Sequence, residues 1–505
     1  MSTPGAPSKA SGVDFAYSQV PGDFPGTLPA SQFDLAIFAW QHFVALNWPS
    51  SSAPGATRGT PSIDATFIAP VHLNEQSRQP EKPVWMGYYN RNEMLPPNTS
   101  RQPPLDHKNT PTFNYNNVTS CDNGLQVTKC GNDPKGNQTY CFQTDQVVLD
   151  EASQLGLDYV FAQPSGAAQQ LQILYLAKVN QASYDYVVDK NLYRKEDSDK
   201  ARSTNTGDLT RYGAICQQTS PVDCDASYCL PCGSREPYSE GTVHVKTAWR
   251  QLTQAEISAG HHFTADVIAF KDGDGDTVTC TTGKTWGLVG MHIIHKTMNF
   301  PTYFFATWEH VDNLASNLTY RNTTLGGPKA GESQQYTRVS HGGEILHRAD
   351  VGIVNDIVHE EIRGANPNLV WQYYQLVGVQ GTPVNYPPES FALPDYYLAN
   401  NVIESNMFFQ NFVGTSPSYT SPDNEDKTKS YGPDGTTLGN NVVFNKKPYN
   451  VGGCQGCHGN AQRTGSDMSF LVPGFADAAD AMGVFEYVSH SSSVAKAFRE
   501  TLSDR

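Results

Sequence analysis

The sequence predicts an α+β protein: a β-rich antiparallel main body with disulfide-tied loops and a short helical C-terminal segment docked on it. Three observations lead there. Five strand-like runs in the middle of the chain have short connections, which favour antiparallel pairing. Ten cysteines sit mostly in loops rich in Gly, Asn, Pro and Thr. The stretch from Asn441 to Arg505 is too short for a strong core of its own and needs a body to pack on.

The chain divides into a lead-in at 1–30, a main body at 31–414 with cysteine-rich insertions, a linker-like loop at 415–449 and a tail at 450–505. The lead-in is rich in Pro, Gly and Ser and reads as ordered on contact or mobile. A helix follows: Ser31 can cap it, and Phe33, Ile37, Trp40, Val44 and Trp48 repeat at helical spacing until Pro49. His42 lies among apolar neighbours and reads as structural. In the turn-rich stretch from Ser50 to Tyr140, Pro83 to Tyr89 is the clearest strand.

The five β runs are Leu171 to Val179, Thr242 to Trp249, Phe263 to Phe270, Thr285 to Ile294 and Tyr303 to Trp308. Asp272-Gly-Asp-Gly-Asp276 starts like a calcium loop but lacks the later ligands, so it reads as a hairpin turn between Phe270 and Val278. After Gly326, Asp350 to Ile362, Asn368 to Leu376 and Ala399 to Phe409 carry helical spacing. His359-Glu-Glu-Ile-Arg363 departs from a zinc-protease helix at Arg363.

The composition excludes several function classes. Fifty acidic against 35 basic residues give a net charge of −15, which argues against nucleic acid and anionic membranes as partners and would steer a basic one. No apolar run reaches the length of a membrane span. The amino terminus lacks a basic region and an apolar stretch, so an export signal is expected to have been removed.

The tail carries the strongest chemical signal, Gly452-Gly-Cys454-Gln-Gly-Cys457-His458-Gly459. Cys-x-x-Cys-His is the attachment run for c-type haem: each thiol adds to a vinyl group and the histidine sits under the iron. With ten Cys and 14 His in 505 residues, chance supplies such a run roughly 0.005 times. One helical turn presents both sulfurs to the same porphyrin edge. A zinc half-site would need a second ligand pair in the tail, and none follows.

The other eight cysteines, Cys121, Cys130, Cys141, Cys216, Cys224, Cys229, Cys232 and Cys280, allow up to four disulfides. These fit an oxidising compartment, periplasmic or secreted. Cys229-Leu-Pro-Cys232 has dithiol spacing, but Gly233 stands where haem ligation needs a histidine, so disulfides are the better reading.

For the iron's second axial side the tail offers Met468, Met482 and His490, and the body offers His341, His347 and the strand histidines. His292, His295 and His310, with Glu309 and Asp312, could furnish acid–base groups or hold a metal. On a strand, His292 and His295 point to opposite faces. The plain alternative is one buried, hydrogen-bonded histidine and two surface ones.

The chain resembles a group of exported bacterial monohaem proteins of the cytochrome c family. The resemblance rests on Phe38 to Pro49; on Gly287 to Thr297 with Trp308 to Asn313; on Trp371 to Gly378 with Tyr397 to Asn400; and on Cys454 to Phe470. It implies one covalent haem c and export, and carries over only Cys454, Cys457 and His458. The expected function is an exported monohaem cytochrome passing single electrons to a redox partner protein. One alternative is a haem-dependent peroxidase or oxygenase, with a small-molecule substrate pocket in the body and His310 or His292 as catalytic groups. Another is a non-enzymatic haem-containing binding or sensor protein.

Overall fold

A computed structural model describes residues 12–471 with internal gaps, the larger ones at 69–80, 217–227, 271–277, 323–333, 337–348, 384–397 and 405–429. Its centre is a mixed sheet-and-helix core. Helix α1 (Gln32–Leu46) begins where Ser31 Oγ accepts from the Asp34 amide at 3.1 Å, which satisfies one of the free N-terminal amides. Asn47 closes it, its side-chain amide donating to Phe43 O.

The main sheet runs in the order β1 (Tyr89–Asn90), β2 (Leu174–Val179), β3 (Thr242–Gln251), β4 (Trp286–Lys296), β5 (Phe304–His310) and β6 (Tyr374–Gln380), every neighbouring pair antiparallel. Thr264–Ala265 adds a short strand beside the start of β4. Every residue of β4 is buried, so both faces of this central strand are covered. On one face, alternate residues such as Met291 and Ile293 join the largest apolar cluster with α1 and α2 (Ala349–Ala365). On the other, Ile294 and Phe305 join a second cluster that includes Cys454 and Met468.

Asn355 of α2 knits the first face together. Its Oδ1 accepts from Trp40 Nε1 at 3.0 Å and from the Leu376 amide, and its Nδ2 donates to Leu376 O. These bonds satisfy polar groups that would otherwise be costly to bury. Around them, complete burial of Phe43 stabilises the fold by about 1.5–3 kcal/mol.

Several expectations are corrected. Pro83 to Tyr89 is chiefly a 3-10 turn, Val84–Gly87: both Val84 and Trp85 are buried side by side, which strand alternation on a half-exposed sheet does not provide. Helical spacing at Asn368 to Leu376 gives a 3-10 turn at Val370–Tyr373 and then β6, because sheet pairing with β5 outweighs a weak periodic signal. Val13, Val20 and Phe24 of the lead-in are buried against α1, which its reading as ordered on contact allows. Outside the main sheet two pairings are parallel, Val267–Phe270 with Val147–Leu149 and Val278–Thr281 with Val118–Cys121. Their partners come from distant sequence, so local connection length says nothing about them.

The hairpin pairing of Phe270 with Cys280 is present, while the acidic loop joining those strands lies outside the described residues. So does most of Ala399 to Phe409. Disulfides join Cys130 to Cys141 and Cys216 to Cys232. Cys229 is also disulfide-bonded, so Cys229 and Cys232 form no Cys-x-x-Cys dithiol. No helix among the described residues is long and apolar enough to cross a membrane.

Candidate functional site: a cavity shared by the sheet and the Cys-x-x-Cys-His helix

Helix α3 (Gly453–Arg463) starts at Gly453, whose φ of 61° is a left-handed value that glycine adopts at little cost. Gln455 docks the helix on the body: its amide donates to Gln380 Oε1 at 2.9 Å and its Nε2 to Gly381 O at 2.5 Å. The first turn therefore lies against the end of β6. Cys454 and Cys457, the two free cysteines among the described residues, and His458 all line one cavity.

The opposite wall is the second face of the sheet. Lys246 and His292 are register partners on β3 and β4, as are His244 and Ile294, with Phe305 next on β5. Register partners share a face, and all five side chains line the cavity, together with Glu404. The space between these walls measures about 80 Å³, below the roughly 300–1,000 Å³ of small-molecule and cofactor pockets.

His458 is held in a defined orientation. Its Nδ1 donates to the backbone carbonyl of Met468 at 2.7 Å, and its ring stands 4.9 Å from Phe305 and 5.0 Å from Phe470. With Nδ1 protonated, Nε2 keeps its lone pair. The loop that presents Met468 is itself tied down, since Asp467 Oδ2 accepts from Lys296 Nζ at 2.5 Å and from the Leu230 amide at 2.8 Å. Asp467 and Met468 have φ of 50° and 59°, left-handed values costing roughly 1–2 kcal/mol each in non-glycine residues.

The cysteine and histidine side chains of the site are neutral at neutral pH, while Arg91, Glu151, Lys246 and Glu404 line the same cavity. Burial pushes both thiols up, Cys454 well above its ordinary value. It pushes His458 down to about 4 and His244 to about 3, and His292 well below the ordinary imidazole range. Neutral imidazole is the metal-binding form. Burial also lowers Lys246.

The residues present fit a covalently held haem. Two unpaired cysteines face the cavity, whereas Cys130, Cys141, Cys216, Cys229 and Cys232 are disulfide-bonded. The adjacent imidazole donates one nitrogen to a carbonyl, the usual outer-shell arrangement of a metal-ligating histidine. In addition, His244 Nε2 is buried with no hydrogen-bond partner among the described residues.

The sequence candidates fall out unevenly. His292 lines the cavity, with Nε2 3.4 Å from Glu404 Oε1. His310 does not line it: its Nε2 donates to His261 O at 3.1 Å, its Nδ1 accepts from the Asp312 amide at 3.2 Å, and its ring stacks on His262 at 3.7 Å. His262, His310 and Asp312 bring ligand atoms within 4.8 Å of one another, but both His310 nitrogens are already engaged. His292, His295 and His310 are all buried, which corrects the expectation of two surface histidines; both faces of the sheet are covered.

Met468 offers its carbonyl to His458, and its side chain packs in the second apolar cluster. Met482, His490, His341 and His347 lie outside the described residues. Sequence reading missed His244, Lys246 and Glu404; the signal was the alternation of His244 and Lys246 on one face of a strand. No family model, curated protein or solved structure matches the chain.

Proposed function

We propose that this chain is an exported monohaem c-type cytochrome that passes single electrons. The observation that carries the reading is the convergence of Cys454, Cys457 and His458 on one buried cavity. Cys454 and Cys457 would each add their S–H across a vinyl group, forming thioethers with no leaving group, and His458 would ligate the iron. When bound, the haem supplies a one-electron iron couple.

The chain's own residues set the conditions for that couple. Met468 O fixes the imidazole tautomer and raises its basicity through the Nδ1 hydrogen bond. Phe305 and Phe470 flank the ring, limiting water and lowering the local dielectric. A net charge of −15 favours encounter with a basic redox partner. The disulfides and the extracytoplasmic chemistry of haem c attachment support a periplasmic or secreted location.

A second reading is a haem-dependent peroxidase or oxygenase. His292 and Glu404 face the same cavity as His458, so His292, rather than His310, could move a proton for a bound substrate.

The test is production in an exporting host with haem c maturation machinery, read by intact mass and by absorption after denaturation. One haem covalently attached is expected, lost as a covalent adduct in Cys454→Ser/Cys457→Ser. Protein that never acquires haem, or that takes up zinc through these thiols, overturns the proposal. Stoichiometric substrate turnover with peroxide or oxygen would favour the second reading.

A further inference from the structure

A buried imidazole nitrogen without a partner is costly and calls for an explanation such as an ion or a reactive role. His244 is such a group. It is 3% exposed, its Nε2 finds no hydrogen-bond partner among the described residues, and its side chain lines the same cavity as Cys454, Cys457 and His458. We infer that His244 is the second axial ligand of the haem iron, so that one ligand comes from the tail helix and the other from the central sheet. This rests on the haem c reading above.

The placement supports it. His244, Ile294 and Phe305 form one row across β3, β4 and β5, and the His458 ring stands 4.9 Å from the Phe305 ring at the end of that row.

The two other nitrogenous groups on the same face each have a charged or aromatic neighbour, although His292 Nε2, like His244 Nε2, finds no hydrogen-bond partner among the described residues. His292 Nε2 lies 3.4 Å from the Glu404 carboxylate, and Lys246 Nζ lies 4.9 Å over the Tyr175 ring, a cation–π distance. Among the described residues no ion pair engages His244, whereas His292 faces the Glu404 carboxylate. Ligation from the sheet would also tie α3 to the body, the iron joining the two.

The experiment uses the ferric holoprotein. Electron paramagnetic resonance and near-infrared magnetic circular dichroism should show a low-spin iron with two histidine ligands. His244→Gly should turn high-spin while keeping its covalent haem, and added imidazole should restore the low-spin spectrum, a rescue that a merely structural role would not give. His292→Gly should stay low-spin.

Wild-type holoprotein that is high-spin, or that carries the histidine–methionine signature, overturns this inference and leaves the haem reading standing. A low-spin His244→Gly, or a high-spin His292→Gly beside it, overturns it too. If His244→Gly does not fold, the wild-type dichroism band together with the His292→Gly spectrum still decides. Protein without covalent haem overturns the underlying reading and this one with it.

Discussion

Nε2 of His42 on α1 lies 2.7 Å from Nδ1 of His295 on β4. The outer nitrogens of the two rings face Phe38 O at 2.7 Å and Glu240 O at 2.6 Å. Carbonyls only accept and two neutral rings carry only two N–H groups, so one of these three contacts lacks a proton. A third proton would complete the chain, yet burial opposes it, pushing His42 down to about 4 and His295 well below the ordinary range.

The sign of the pH dependence follows. Between the unfolded value near 6.5 and the folded value near 4, the unfolded chain holds a proton that the folded chain lacks. Stability from this group is therefore intact above about 6.5 and falls as the pH drops toward 4, by about 3 kcal/mol. In urea titrations, His42→Leu should be less stable than wild type at pH 7 but should lose less on acidification. Parallel losses in the two proteins would contradict this.

The buried pair of Lys296 and Asp467 ties the His458 loop to β4. Asp467→Ala leaves a fully buried ammonium without its partner, at a cost of about 3–5 kcal/mol. Replacing both groups with apolar residues, Lys296→Met with Asp467→Leu, should recover most of that loss in thermal or urea unfolding. A double variant no better than the single one would show that the loss lies elsewhere.

Two glycines with similar backbone should respond differently to alanine. Gly241 has φ +69° and its added Cβ would lie 2.0 Å from the Gly233 amide nitrogen, so Gly241→Ala should fail to fold or lose several-fold in soluble yield. Gly260 has φ +67° with nothing within 4 Å. Gly260→Ala should cost only the left-handed strain of about 1–2 kcal/mol, measured by melting temperature.

The Cys216–Cys232 bridge closes a loop of sequence separation 16. Chain-entropy reasoning assigns it about 3 kcal/mol. Cys216→Ser/Cys232→Ser should lose about that much in urea unfolding under oxidising conditions, and the gap to wild type should narrow when both proteins are reduced.

Much of the fold was legible locally. Ser31, the helical spacing to Trp48 and Pro49 mark α1 because caps, periodicity and proline act over a few residues. The runs around Thr242, Trp286 and Phe304 read as strands because β-branched and aromatic residues suit a covered sheet. Val84 and Trp85 misled because apolar, bulky residues satisfy a buried 3-10 turn as well as a strand. Asn368 to Leu376 misled because pairing with β5 is a long-range contact that periodicity does not register.

The attachment chemistry expected of Cys454, Cys457 and His458 is legible in the chain, since it depends on residue types at fixed spacing along one helical turn. So is the opposite facing of His292 and His295, a consequence of strand geometry. Which face met which partner came from packing: His295 found His42 on α1, and His292 and His244 found the cavity beneath α3. Packing also decided that His310 would stand apart from that cavity. Register between β3, β4 and β5 brings residues dozens of positions apart into one row, and no local pattern encodes that pairing.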